Sequence, residues 1–430
     1  MPIKVSVLLP PMRSCRRVLL GAYLLGIGSL VTSLAAGAQI TPAKDPTPLI
    51  VILGRLDRGD PAGAERLLRE NLPVMKARIE SVLQEIDQEF DELGRFGATG
   101  RHGADSGPAF QGLMEDLLKK SRRYEKLFEL YRRVSGNEVL LQRYQARLLR
   151  IEGAYYTWKG EYVCGGQLDW DQAEKFYRQA LERLDASFAM AQKVNDLRVM
   201  ASAQNNRGST LIRLLRPEEA IQAYSEGLRY ADQLPGDMYK GLVRLNLGNT
   251  YVWIGKPGES ETYLHPALGA FRRMGRGTWE ANALMTIGNA YLQEKKFGNA
   301  WETLRLAVER AKQSGEDKVR GRALLNLGMA ALALQKREAI PLIEEALDWY
   351  SRQGPEVYVP IEREAILQDG YLLLRRAAEQ GGDEPAAKKY QRQFFESLGP
   401  DPDRYQTLRA SPCFAIYKAR PVSEKPSSTE

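Results

Sequence analysis

The chain has 430 residues, 43% hydrophobic and 27% charged. This is the composition of a folded globular protein too long for one small core. The formal charge is +7, but residues 1–38 hold four basic residues and no acidic one, so +3 is left for the remainder. That small excess argues against a nucleic-acid partner.

Residues 1–38 have the features of an export signal. A basic beginning precedes the uncharged run 18–36, and Ala36-Gly37-Ala38 offers a small-x-small cleavage site. We predict export with cleavage near Ala38, to a periplasmic or extracellular location. The alternative is an uncleaved membrane anchor, because the 19 residues of 18–36 are just enough to span a bilayer.

Residues 39–145 predict a helical region that contains a glycine-rich loop over 94–108. One apolar stripe recurs at three- and four-residue steps and comprises Met75, Ile79, Val82, Ile86 and Leu93. The stripe suits either a coiled-coil seam for self-association or packing inside the protein. No strand pattern stands out along the chain, which predicts an all-α protein.

A fixed period begins near residue 200. Four glycines, Gly208, Gly248, Gly288 and Gly328, recur every 40 residues within amphipathic helices. Tyr251 and Tyr291 follow the second and third of these glycines by three residues. Twelve residues after the first three glycines, a small residue opens a second helix. A fixed period of this size predicts a stacked array of helix pairs.

This order of residues resembles the tetratricopeptide repeat, in a longer variant similar to that of kinesin light chains and bacterial arrays. The resemblance implies a right-handed α-solenoid over 146–400, with the best repeats in 200–355 and an extension and disordered tail over 401–430. Upstream, the pattern assigns Gly153 to a degenerate repeat with about eight inserted residues around KGEYVCGG, before Ala173 and Tyr177. Downstream, Gln368 takes the glycine position.

The residue types that usually carry chemistry are sparse. His102 and His265 are the two histidines, and no metal-binding, phosphate-binding or nucleophile-elbow motif is present. We therefore predict no metal, no cofactor and no enzymatic activity. Cys164 and Cys413 are interpreted as isolated thiols, because several repeats would hold them apart, although an exported chain could pair them.

The concave groove is the most informative candidate site. Positions two before, one after and five after each repeat glycine share one face of the first helix, and in tetratricopeptide arrays this face lines the groove. The candidate binding residues there are Asn206, Arg213, Asn246, Asn249, Trp253, Asn289 and Asn326. Asparagines can hold the backbone of an extended peptide, Trp253 can supply an apolar anchor, and Arg213 can pair with an acidic group. Alternatively, the asparagines join neighbouring repeats by hydrogen bonds.

These observations predict a non-enzymatic exported protein that binds a protein or peptide partner through its groove. The rival is a membrane-anchored or self-associating scaffold of the cell envelope. Membrane contact is expected only through an uncleaved N-terminal segment. The sequence leaves the oligomeric state open.

Overall fold

A computed structural model describes residues 48–99, 108–352, 360–400 and 403–415. Within these ranges every regular element is a helix, which confirms the all-α prediction. The predicted signal, the cleavage site, most of the glycine-rich loop and the C-terminal tail lie outside the described residues.

In the described part of the chain, five helices precede the repeats and share one hydrophobic core with the first long repeat helix. They are α1 (Pro48–Asp57), α2 (Pro61–Glu70), α3 (Leu72–Thr99), α4 (Pro108–Arg123) and α5 (Glu125–Ser135). The apolar stripe lies on α3, and Met75, Ile79, Val82 and Ile86 are each at most 3% exposed in that core. The coiled-coil interpretation is therefore wrong, because the protein itself covers this face.

The repeats form six antiparallel helix pairs. The pairs are α6 (Glu138–Gln167) with α7 (Trp170–Lys193), α8 (Leu197–Arg213) with α9 (Pro217–Ala231), α10 (Met238–Trp253) with α11 (Pro257–Arg273), α12 (Gly277–Gln293) with α13 (Phe297–Ser314), α14 (Asp317–Ala333) with α15 (Ala339–Ser351), and α16 (Pro360–Gln380) with α17 (Glu384–Ser397). Two short helices, α18 (Arg404–Ala410) and α19 (Pro412–Ala415), follow. The first helix of each pair packs against the first helix of the next, so these six helices form the inner wall of a curved array. This confirms the solenoid prediction.

Close helix crossings account for the repeat glycines. A methyl group on Gly208 would lie 2.6 Å from the Tyr224 ring, and one on Gly288 would lie 2.5 Å from Leu304 Cγ. Both distances are far below ordinary carbon–carbon contact. The partner helix therefore crosses where a side chain would stand, and tertiary packing offsets the poor helix propensity of glycine.

The first pair has a different register from the one expected. A methyl group on Gly160 would lie 2.7 Å from Tyr177 Cδ1, the contact that Gly208 makes with Tyr224, whereas Gly153 faces Leu184 farther along α7. Gly160 is therefore the repeat glycine, and Gly153 lies two helical turns before it. The prediction of an insertion around KGEYVCGG is wrong, because these residues belong to helix α6.

Buried charges fasten the N-terminal helices to the array. Asp87 on α3 is 1% exposed and accepts hydrogen bonds from Arg147 Nε at 2.9 Å and from Arg150 Nη2 at 2.8 Å. Arg147 Nη1 also donates to Asp196 at 2.8 Å, where the second pair begins. Because a buried charge is costly without a partner, this cluster holds α3 against two successive repeats.

The array closes on itself. Helix α16 of the last pair contacts α6 of the first, and Ala365 is buried with Val163 and Cys164 in one apolar cluster. Cys164 and Cys413 form a disulfide across 249 residues. The isolated-thiol interpretation is therefore wrong, because curvature accumulated over the repeats returns the last helix to the first.

Candidate functional site

The candidate site is the part of the inner wall formed by α8, α10, α12 and α14. Two pairs of asparagines cross between neighbouring helices on it. Asn246 Nδ2 donates to Asn205 Oδ1 at 2.9 Å, and Asn326 Nδ2 donates to Asn289 Oδ1 at 2.6 Å. These bonds are the ones that the alternative interpretation expects, and they join the second repeat to the third and the fourth to the fifth.

The bond in each pair uses one of its two amide nitrogens and one of its two amide oxygens. Within the described residues, Asn205 Nδ2 and Asn246 Oδ1 make no further hydrogen bond, and neither atom is enclosed. The same holds for Asn289 Nδ2 and Asn326 Oδ1. The pair bond fixes the orientation of both amides, so each pair presents one oriented donor and one oriented acceptor.

Asn249 is the exception among these amides. It occupies the position of Asn289 one repeat earlier, where its neighbour on α12 is Thr286 instead of an asparagine. Thr286 Oγ1 donates back to the Asn282 carbonyl at 3.0 Å and makes no hydrogen bond with Asn249. Asn249 is exposed and makes no side-chain hydrogen bond to any described residue. An unpaired amide therefore stands between two paired sets.

The three remaining predicted residues are less accessible to a ligand than Asn249. Arg213 is in an ion pair with Glu161 on α6, so its charge is already balanced. Asn206 is half-buried, and its Nδ2 is enclosed without a hydrogen-bond partner in the described chain. Trp253 is half-buried in the last turn of α10, four residues after Asn249. Of the seven predicted residues, Asn249 is thus the most available to a ligand.

Other wall positions stabilise the stacking of repeats. Ser209 Oγ lies 3.0 Å from the hydroxyl of Tyr224, and burial raises the pKa of that tyrosine to about 12. Gln293 Nε2 donates to the Val252 carbonyl at 2.9 Å, from the fourth repeat to the third. The wall becomes less polar toward α14, where the equivalent position is the exposed Ala333.

The first pair adds wall residues that the sequence analysis missed. With Gly160 as the repeat glycine, Trp158 and Glu161 occupy the positions of Asn206 and Ser209. Trp158 is 5% exposed and lies 5.6 Å from the ring of Tyr162. The available signal was the spacing of Gly160 from Ala173, which is 13 residues and close to the usual 12.

The described residues also bear on metal binding and on membrane crossing. No group of three or more His, Cys, Asp or Glu side chains is arranged there to hold a metal ion. None of the described helices combines the length and the hydropathy that crossing a bilayer requires.

Comparison with known proteins agrees with this geometry. A tetratricopeptide repeat family model matches residues 281–314, which fall in the α12–α13 pair. The regulatory protein RapG of Bacillus subtilis (strain 168) is 25% identical over 202 residues, covering 46% of this chain and 52% of RapG. The chain thus spans about half the length of this curated relative.

A solved structure shares the fold. It is the signal transduction ATPase with numerous domains that carries a tetratricopeptide repeat sensor, from Pyrococcus horikoshii. Its TM-score is 0.52 at 15% identity, over 93% of this chain and 55% of that one. The repeat match over 281–314, the helix-pair geometry and this shared fold show that the chain has the fold of a tetratricopeptide repeat solenoid.

Proposed function

We propose that this protein binds an extended peptide, or an unstructured segment of a partner protein, along the inner wall of its array, and that it acts by binding and not by catalysis. Tetratricopeptide solenoids are protein-binding folds, and stacked repeats provide a surface that needs little ordering on association. The proposal adds the site and the form of the ligand to that general role.

The unpaired amide of Asn249 is the observation that carries the proposal. An exposed asparagine can donate to one peptide carbonyl and accept from the N–H of the same backbone. On either side, the Asn205–Asn246 and Asn289–Asn326 pairs present oriented donors and acceptors at the spacing of successive repeats. A row of amides recognises main chain whatever the side chains are, and Trp253 adds an apolar contact of the type that is enriched at binding hot spots.

Capture of partners by the full chain tests this. Asn249→Ala should lower partner recovery about three- to tenfold, the effect of losing one or two hydrogen bonds of ordinary strength. Asn299→Ala is the matched control, because Asn299 is also exposed but lies on the outer helix α13. Equal recovery with both variants would refute the proposal.

We also propose that the protein is exported. The N-terminal segment 1–38 motivates this, and the Cys164–Cys413 disulfide supports it, because disulfides persist mainly in oxidising compartments. The mass of the protein isolated from each cell fraction is the test. A chain that begins after Ala38 outside the cytoplasm is expected, an intact chain in the membrane pellet would indicate the anchor, and an intact cytosolic chain would refute export.

A further inference from the structure

The last described segment, residues 403–415, fastens the two ends of the array. Leu408, Cys413 and Phe414 are each at most 2% exposed. They pack in one cluster with Val163 of α6 and Ala365 of α16, which are the first and last inner helices. The segment therefore fills the junction at which the array closes.

This junction has a covalent and a non-covalent fastening. The covalent one is the Cys164–Cys413 disulfide. In the other, the Arg409 guanidinium pairs with the Asp369 carboxylate, donates to Gln368 Oε1 at 3.2 Å and lies 3.3 Å from the centre of the Tyr405 ring. Burial raises the pKa of Asp369, and the charge of Arg409 opposes that rise.

The disulfide attaches to the inner wall itself. Cys164 lies four residues after Gly160, the position that Ile212, Val252 and Leu292 occupy in the next three repeats. We propose that residues 403–415 are an oxidatively locked clasp. With both cysteines as thiols the segment detaches and α16 separates from α6, whereas the disulfide holds the array closed.

Forming the Cys164–Cys413 disulfide from two thiols requires an oxidant that accepts two electrons. A suitable class of oxidant is an exogenous disulfide. The Cys413 thiol loses its proton, and the resulting thiolate attacks one sulfur of that disulfide and releases the other sulfur as a thiolate. The Cys164 thiolate then attacks Cys413 Sγ, forms the intramolecular bond and expels the second exogenous thiolate. Two protons and two electrons leave the protein, and the exogenous disulfide becomes two thiols.

The closed clasp protects its own bond. Cys164 is 2% exposed and Cys413 is 1% exposed, so an attacking thiolate reaches neither sulfur unless the segment first detaches. The disulfide is therefore expected to resist reductants under native conditions and to yield once the clasp opens. Any effect of the clasp on ligand binding rests on the proposed function, but the opening itself does not.

Hydrogen exchange of the full chain tests the clasp without a ligand. All samples carry Cys15→Ser, which removes the third cysteine. The disulfide-bonded protein is compared with the Cys164→Ser/Cys413→Ser variant. A third sample is the same protein reduced by dithiothreitol in mild urea and then returned to buffer. Without the disulfide, the amides of 160–168 and 363–372 should exchange at least about tenfold faster. The rate of trypsin cleavage after Arg409 should rise by a similar factor. Exchange over 281–314 in the central repeat should stay unchanged.

Three results would overturn the clasp. The first is equal exchange at both junction segments with and without the disulfide. The second is an equal rise over 281–314, because the bond would then stabilise the whole fold and not one junction. Arg409→Ala with the disulfide intact should stay closed, with exchange within about twofold of the parent, and a larger rise would mean that the covalent bond is not the lock. A clasp that opens as expected while Asn249→Ala leaves partner capture unchanged would refute only the proposed function.

Discussion

Adding one methyl group at Gly248 should destabilise the array, although the same change usually stabilises a helix. In an α-helix, alanine is favoured over glycine by about 1 kcal/mol. The added Cβ of Gly248→Ala, however, would lie 2.5 Å from Leu264 Cγ, and Leu264 is fully buried. Carbon atoms pack at roughly 3.5 to 4.0 Å, so Leu264 must move by about 1 Å in a filled core. Overpacking of this kind costs about 1–3 kcal/mol, which leaves a net loss of about 1 kcal/mol.

Gly269→Ala is the matched control within the same helix pair. Gly269 is also helical, but the nearest atom to its added Cβ would be Arg273 Nη1 at 3.5 Å. This variant should gain up to about 1 kcal/mol, so the two substitutions should differ by about 2 kcal/mol in the free energy of unfolding. Equilibrium urea unfolding of the disulfide-bonded chain measures that difference. If Gly248→Ala is as stable as Gly269→Ala, the close crossing is not the reason for the repeat glycine.

A double variant separates the crossing from other effects of the added methyl group. Leu264→Ala alone should cost about 2–5 kcal/mol, because it removes a buried side chain. Combined with Gly248→Ala it should cost at least about 1 kcal/mol less than the sum of the two single changes, since the smaller residue leaves space for the added Cβ. If the two changes in the free energy of unfolding simply add, Leu264 is not the side chain with which the added methyl group clashes.

Four other substitutions test three side-chain contacts and one turn. Asp87→Ala should lower the free energy of unfolding by about 3–5 kcal/mol, because it leaves two buried arginines short of a charge partner; a loss under about 1 kcal/mol in urea unfolding would contradict this. Asn246→Ala should cost about 1 kcal/mol through its lost hydrogen bond between repeats, and no change in the same assay would remove the pair as a stabilising contact. Gly275→Ala should cost about 1–2 kcal/mol because its φ is +63°, with no atom within 4 Å of the added Cβ; an unchanged unfolding midpoint would show that the turn relaxes. Burial is the largest single influence on the Asp196 carboxyl and raises its pKa, but the charge and hydrogen bond of Arg147, the N–H of Val199 and the charge of Arg143 together outweigh burial and lower that pKa. The ionised Asp196 carboxylate therefore stabilises the fold above the unfolded pKa of about 3.9, and this stabilisation is lost as the pH falls through the lower folded pKa. Asp196→Asn should lower the free energy of unfolding at pH 7 and progressively less below pH 4. A difference that does not change with pH would refute this reasoning.

The repeat array could be predicted because its signal is local and periodic. Gly208 and its three equivalents mark one kind of helix crossing, and a crossing between adjacent helices depends on residues close in sequence. The register of the first pair could not be read in the same way. Tyr156 follows Gly153 by three residues and imitates the repeat pattern, while the contact that defines the repeat is made by Gly160 with Tyr177.

The closure and the amide pairing depend on geometry that no single repeat contains. Small rotations between successive pairs determine whether α16 returns to α6, so the sequence separation of Cys164 and Cys413 was a poor guide to their distance. Likewise, Asn246, Asn289 and Asn326 were recognisable as wall residues, but the sequence analysis chose Asn206 where the structure pairs Asn205, because pairing depends on the neighbouring helix. Thr286 in place of an asparagine is what leaves Asn249 unpaired.

Site-specific photo-crosslinking tests most directly whether the inner wall is the binding surface. A benzophenone side chain replaces Ala333, which is exposed on the inner helix α14, or Leu306, which is 46% exposed on the outer helix α13. We predict that partner peptides are crosslinked from position 333 and not from 306, and that Asn249→Ala reduces the yield at 333. Equal crosslinking from both positions, or a yield at 333 that Asn249→Ala leaves unchanged, would contradict the account.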